Sequence, residues 1–165
     1  MCGEESRNIT LRPALEEDEE FLFTVYAGRR RQEMAAWGWD EAQQMAFLRM
    51  QFRAQHISYS YGYADADHRI ILLNEHPIGR ILVDRTEQDI LLVDIALLPE
   101  YRNAGIGSRL IGELLDEGAR KRIPVRLHVE KSNPGAARLY ERLGFKYTQE
   151  SADRFEMIWR PDREE

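Results

Sequence analysis

Residues 90–119, "ILLVDIALLPEYRNAGIGSRLIGELLDEGA", limit the chain's options more than any other stretch. The apolar run 90–98 is broken only by Asp94 and reads as a strand. Glycines at 105 and 107 form a sharp turn, and a helix is predicted from about 105 to 119. In it Ile106, Leu110 and Leu114 make one row, with Ile111 and Leu115 beside them. A helix N-terminus presents unpaired N–H groups and a partial positive charge. Set after a strand, it is a cradle for a phosphate-like anion. Residues without a Cβ let an anion come close to the backbone or take positive φ cheaply. The N–H groups of Asn103, Ala104, Gly105, Ile106, Gly107 and Ser108 can converge there. Arg102 adds fixed charge and the Ser108 hydroxyl another donor. Two familiar phosphate motifs do not fit. Gly107 is followed by Ser108 and Arg109 rather than Lys-Ser/Thr, and Leu110 stands where a dinucleotide fingerprint needs its third glycine. Taken alone, Gly-x-Gly serves equally well as a tight turn with no ligand.

The rest of the chain supplies context. "NITLRPA" reads as a first strand, and "LEEDEEFLFTVYAG" as a helix with Glu16, Glu17 and Asp18 in its first turn and Gly28 as its stop. "RRRQEMAAWGW" has no clear period. Asp40 caps a second helix that puts Met45, Leu48 and Phe52 on one face. "HRIILLN", "PIGRILVD" and "DILLVDIALL" are strands with short polar joins, as in antiparallel hairpins. "VRLHVE" alternates as a strand. "NPGAARLYERLG" is a short helix, with Asn133 as N-cap, Pro134 at the first helical position and Gly144 at a left-handed stop after which Phe145 folds back. "FKYTQE" and "RFEMIWR" close as a hairpin. The order β-α-α-β-β-β-α-β-α-β-β implies an α+β (α/β) fold around one central mixed sheet. The strands at 90–97 and 125–130, joined through a helix, are expected to be parallel.

Composition narrows the function classes. The 165 residues suit one domain, expected over 1–165, and 43% hydrophobic with 32% charged residues is ordinary for a soluble globular protein. The net charge of −6 argues against a nucleic-acid partner. One cysteine, Cys2, excludes an intramolecular disulfide and fits a reducing compartment. The first residues lack a signal peptide's apolar core, and no run is long enough to span a bilayer, so a cytoplasmic protein without a membrane partner is expected. His68 and His76 show no metal spacing, so no metal is expected.

Two blocks carry a resemblance. "DIALLPEYRNAGIGSRLI" and "LHVEKSNPGAARLYERLGF" resemble the GCN5-related N-acetyltransferase superfamily. Arg102-Asn103-Ala104-Gly105-Ile106-Gly107 matches the family's Arg/Gln-x-x-Gly-x-Gly/Ala acetyl-CoA signature in full. Asn133 with Leu139, Tyr140, Gly144 and Phe145 matches its second block. The likeness covers roughly residues 8 to 160. It implies a single domain with a mostly antiparallel sheet of six to seven strands, about four flanking helices and a splayed parallel pair. It implies acetyl-CoA as co-substrate, with the pyrophosphate on Arg102 to Ser108 and the pantetheine arm along Ile95, Ala96 and Leu97. Asn133 would touch the cofactor arm, and Tyr140 would lie near the sulfur.

Acetyl transfer to an amine must remove a proton from the ammonium and help the thiolate leave. Tyr140 is the candidate acid, or else a core ring packed on Phe145. Asp94, an acid among aliphatic neighbours, is the candidate base or substrate anchor, or else a solvated or arginine-paired carboxylate. Many family members carry a glutamate three positions earlier, where this chain has Leu91. His128 shares a strand face with Glu130 and is a candidate acceptor contact or a hydrogen-bonded structural residue. Glu33, Trp37 and Trp39 lie in the region that covers the family's acceptor pocket. A carboxylate with aromatic walls suits an amine, although both tryptophans would equally serve as core. The expected reaction is direct attack in a ternary complex on a small-molecule or peptide amine. The alternatives are a CoA-binding sensor or partner-binding module without turnover, and an acyltransferase using another acyl-CoA. The oligomeric state stays open, a homodimer included.

Overall fold

A computed structural model describes residues 8–161, apart from the side chains at 29, 32, 33 and 35. In chain order the elements are β1 (Ile9–Pro13), α1 (Glu19–Met34), α2 (Glu41–Gly62), β2 (Asp67–Leu73), β3 (His76–Arg85) and β4 (Ile90–Leu97). They continue with α3 (Ile106–Lys121), β5 (Val125–Glu130), α4 (Pro134–Arg142), β6 (Lys146–Glu150) and β7 (Arg154–Trp159). The seven strands form one mixed sheet in the order β1-β2-β3-β4-β5-β7-β6, with β4 and β5 parallel, as the sequence implies. The chain packs as two compact units, one of residues up to 81 with 95–102, the other of 82–94 with 103 onward.

In the first unit β1 runs antiparallel to β2, from Ile9 opposite Leu73 to Pro13 opposite Arg69. Asn74 and Glu75 both take positive φ, 50° and 71°, in the turn between β2 and β3. That is the mirror-image turn whose twist suits a tight hairpin. The expected first helix begins later than its acidic residues suggest. Glu16–Asp18 form a separate 3-10 turn, because Asp18 is buried and accepts bonds from Arg12 at 2.8 and 2.9 Å and from the Leu15 N–H at 2.8 Å.

Nor does Gly28 stop α1, which continues to Met34. A Cβ at Gly28 would lie 3.1 Å from a Pro99 ring carbon, so the residue leaves room for a neighbour inside the helix. The left-handed turn comes at Gly38, φ 72°, after a 3-10 turn over Ala35–Trp37. Asp40 caps α2 as expected, in a reciprocal capping box with Gln43. Leu22, Phe23, Ala27 and Met34 of α1 pack with Leu48 and Phe52 of α2 and Ile70 of β2. The rings of Phe23 and Phe52 meet edge to face at 5.6 Å. Each large apolar side chain contributes about 1.5–3 kcal/mol on burial.

In the second unit α3 and α4 both pack on β5. α3 buries Ile106, Leu110, Ile111 and Leu114, the predicted row. Arg85 clamps it by a two-point bond to Glu117, 2.7 and 3.1 Å, and Lys121 adds a third contact at 3.0 Å. The Arg85 hydrogen bond holds the Glu117 carboxyl below its ordinary value, against the opposing effect of burial. β5 pairs antiparallel with β7, and β7 with the edge strand β6.

Candidate active site

In the second unit the loop ahead of α3 is wound by two left-handed residues, Asn103 at φ 59° and Gly105 at φ 83°. Gly105 occupies the N-cap position without a capping side chain, and its carbonyl accepts the Arg109 N–H at 3.1 Å. The first N–H groups of α3 thus lack a partner of the kind that Asp40 gives α2. A Cβ at Gly105 or Gly107 would meet nothing within 4 Å. Left-handed loop residues leading into an uncapped helix make an anion-binding concavity.

β4 begins in register with β5, with Ile90 opposite Val125, Leu91 opposite Arg126 and Leu92 opposite Leu127. It runs on to Leu97. Asp94 is half-buried in this continuation.

The last three residues of β4 belong to the first unit, where their backbone is held tightly. A Cβ at Gly79 of β3 would fall 2.2 Å from the Ala96 carbonyl oxygen and 2.9 Å from a Leu97 methyl carbon. The Leu97 carbonyl accepts from Arg102 Nε at 3.3 Å, and the Leu98 N–H donates to the Ile78 carbonyl at 2.8 Å. Ile95, Ala96 and Leu97 are all half-buried. Sequence reasoning passed over Gly79, although a glycine inside a strand pattern signals a close backbone approach. It also passed over the neighbouring Arg80, which is buried, bonds Gln55 at 3.1 Å and lies over the Tyr59 ring.

α4 follows its sequence signals closely. The Asn133 side chain accepts the Ala136 N–H at 3.2 Å. At the other end the Phe145 N–H reaches the Tyr140 carbonyl and the Gly144 N–H reaches the Glu141 carbonyl, with Gly144 at φ 102°. This is a Schellman stop, with the expected apolar contact between Phe145 and Tyr140. The two rings meet at 5.9 Å, and Tyr140 is 9% exposed. The packing role and the family role are therefore open to the same residue.

The candidate acceptor residues fall in both units. Trp37 and Trp39 are 52% and 38% exposed, so neither is core. Their rings meet at 5.3 Å, and both touch Phe47 edge to face. The side chain of Glu33 lies outside the described residues. His128 is exposed on β5 in the second unit, its Nε2 3.7 Å from Glu156 Oε2 on β7. Among the described residues no group of three or more His, Cys, Asp or Glu could hold a metal ion, and no helix is long and apolar enough to cross a membrane.

Comparison with known proteins bears on the fold and the signature together. The model of the acetyltransferase (GNAT) family matches residues 31–145, most of the chain. The chain belongs to the GNAT acetyltransferase family. The similar solved structures include the PaiA N-acetyltransferase of Thermoplasma acidophilum in complex with coenzyme A. It is 23% identical over 93% of this chain and 99% of its own, with a TM-score of 0.69. The ribosomal-protein-S18-alanine N-acetyltransferase of Escherichia coli is 19% identical over 96% and 97%, at 0.62. A chimera of the Vibrio cholerae spermidine N-acetyltransferase SpeG with hSSAT is 19% identical over 92% and 95%, at 0.63. These similarities establish the GNAT fold. No curated protein sequence matches the chain.

Proposed function

We propose that this GNAT protein is an acetyl-CoA-dependent N-acetyltransferase that moves an acetyl group directly to an amine. The observation that carries the reading is the family signature Arg102–Gly107 sitting at an uncapped helix start with open space at both glycines. In this reading Asn103, Ala104, Gly105, Ile106, Gly107 and Ser108 hold the pyrophosphate through main-chain N–H groups, and Arg102 adds charge. The backbone of Ile95, Ala96 and Leu97 pairs with the amide-bearing arm, an arrangement supported by β4 running beyond its register with β5. Asn133 adds a cofactor contact. One of the similar structures contains coenzyme A. The core and ends of the chain are read as one functional domain.

The reaction forms a C–N bond and breaks the C–S bond of the thioester. The amine must first shed its proton, for which Asp94 is the base, directly or through a water. The Tyr140 phenol then donates to the departing sulfur; its reference pKa of about 10 lies above the ~8.5 of a thiol. Cys2 lies outside the described residues and plays no part in this route. Trp37, Trp39, Glu33 and His128 contact the acceptor. Similar structures are named for acceptors as unlike as spermidine and an alanine of ribosomal protein S18, so the acceptor class is set here only as an amine.

Tyr140→Phe tests the reading. Turnover should fall about 10²-fold, while acetyl-CoA affinity by isothermal titration stays within about twofold. Unchanged turnover would remove Tyr140 from the chemistry. Leu91 at the family's usual glutamate position favours a second reading, a CoA-binding sensor without turnover. Tight acetyl-CoA binding with no thiol release across a broad amine panel would establish that alternative. Longer acyl-CoAs in the same assay would reveal a different donor.

A further inference from the structure

We propose that Glu156 anchors the acceptor's ammonium group, on the face of the second unit's sheet that α3 and α4 leave open. The inference rests on the acetyltransferase reading and narrows its acceptor to an alkylamine, cationic at neutral pH. β5 and β7 have two distinct faces. A Cβ at Gly118 of α3 would lie 3.1 Å from both a Val125 methyl carbon and the Trp159 ring. One at Gly144, the stop of α4, would lie 3.2 Å from the same ring. Val125 and Trp159 are paired across the two strands, so both helices cover the face that these residues share with Leu127, Val129 and Met157. His128 and Glu156 are directly opposed in the same ladder, an odd number of residues along, and therefore stand on the other face.

The end of the β4–β5 ladder places this pair. That ladder runs from Ile90 opposite Val125 to Leu92 opposite Leu127, and His128 is the next residue of β5. Both strands continue past it. In the proposed reading the thioester lies beyond the paired part of β4, with the helix-covered face and Tyr140 on one side and His128 and Glu156 on the other. The amine must reach the carbonyl from the side that the helices leave open. The Glu156 carboxylate is suited to receive a cation there. Its side chain is 18% exposed, and Oε2 stops 3.7 Å from His128 Nε2, beyond hydrogen-bond range. Oε1 accepts the Thr148 hydroxyl at 3.3 Å, a hydroxyl that also lies 3.2 Å from the Glu156 carbonyl oxygen. Thr148 is the extra residue of a bulge in β6, between Tyr147 opposite Met157 and Gln149 opposite Glu156. Bulges re-aim side chains beside functional sites. A carboxylate has about four lone-pair sites, so an alkylammonium can fill the remaining ones through charge-assisted N–H bonds. The neighbours of His128 on this face are engaged differently: Arg126 holds Asp89 at 3.1 Å, and Glu130 stands opposite Arg154.

Imidazole NMR of the full chain saturated with CoA tests this, with n-butylamine and spermidine as cationic probes and aniline as an uncharged one. Both cationic probes should displace the His128 resonance. Glu156→Gln should weaken their binding about 10-fold or more while leaving aniline within about twofold. Glu156→Asp, which keeps the charge, should recover part of the loss. In turnover with a cationic amine, Glu156→Gln should raise the KM for that amine but not for acetyl-CoA, with kcat within about threefold, the pattern of a lost ground-state contact. Equal loss for all three probes would make Glu156 a structural residue and overturn the anchor. So would cationic probes that leave His128 undisturbed, or that bind the glutamine variant as tightly, whatever the turnover. A wild type that binds the cationic probes at His128 yet acetylates no amine would remove the acetyltransferase reading and leave the anchor standing.

Discussion

Gly79 shows how much one missing methyl group can control. Its absent Cβ is the space that the Ala96 carbonyl occupies, 2.2 Å from where that carbon would be. Gly79→Ala must therefore push the end of β4 away or distort β3. On the reading proposed above, that end binds the amide-bearing arm of the cofactor. The variant should lose about 1–3 kcal/mol of stability by overpacking, and its KM for acetyl-CoA should rise more than its kcat falls. Steady-state kinetics beside a thermal melt would measure both. Equal KM with lowered stability would reduce Gly79 to a purely structural role. The glycine was legible as a break in a strand pattern. Its partner was not, because which carbonyl crosses it depends on the exact register between β3 and β4, which residue type alone does not set. Tyr140 is the opposite case, since Asn133, Gly144 and Phe145 announce its helix from both ends.

Elements were legible where their ends carry local chemistry. α4 has an N-cap, a proline and a glycine stop within a dozen residues, and the cap and the stop form the bonds expected of them. α1 misled because two glycines compete as its terminus. Gly28 is small for the sake of Pro99, whereas Gly38 takes the left-handed conformation, and only tertiary structure tells them apart. The start of α3 was readable because Gly105 and Gly107 follow an apolar strand run, and Gly105 takes the left-handed conformation at the N-cap. Gly105→Glu tests this at the level of the element. Its φ of 83° costs any side chain on the order of 1 kcal/mol, so Gly105→Ala should show that strain alone. Glutamate adds bulk and a carboxylate where an anion is expected, and should weaken acetyl-CoA binding ~100-fold or more by titration calorimetry. Equal losses in both variants would attribute the effect to backbone strain rather than to an anion site.

Across the molecule, each compact unit carries an arginine–carboxylate clamp that acid should open. The first unit has Arg12 on Asp18, and the second has Arg85 on Glu117. Hydrogen bonds from Arg12, helped by the Leu15 N–H and opposed by burial, hold the Asp18 carboxyl down from 3.8 to about 2. A carboxyl whose folded value lies below its unfolded one stabilises the fold fully above the unfolded value. That stability drains away as the pH falls through the folded value. The window for Asp18 is therefore roughly pH 4 to 2, and Glu117 is shifted in the same direction. Arg12 is about a third exposed, so solvent screening reduces the Asp18 contribution to about 1–2 kcal/mol. The net charge of −6 works the other way, because protonating other carboxylates first relieves repulsion. Stability by urea denaturation should accordingly hold or rise slightly from about pH 7 toward 5, then fall steeply below about 4. Asp18→Asn should be less stable at about pH 7 but lose less on acidification, so that its curve converges with the wild type near about pH 2. Parallel curves across the whole range would show that the Asp18 carboxylate titrates alike in the folded and unfolded chain, and that the Arg12 clamp has no part in acid sensitivity.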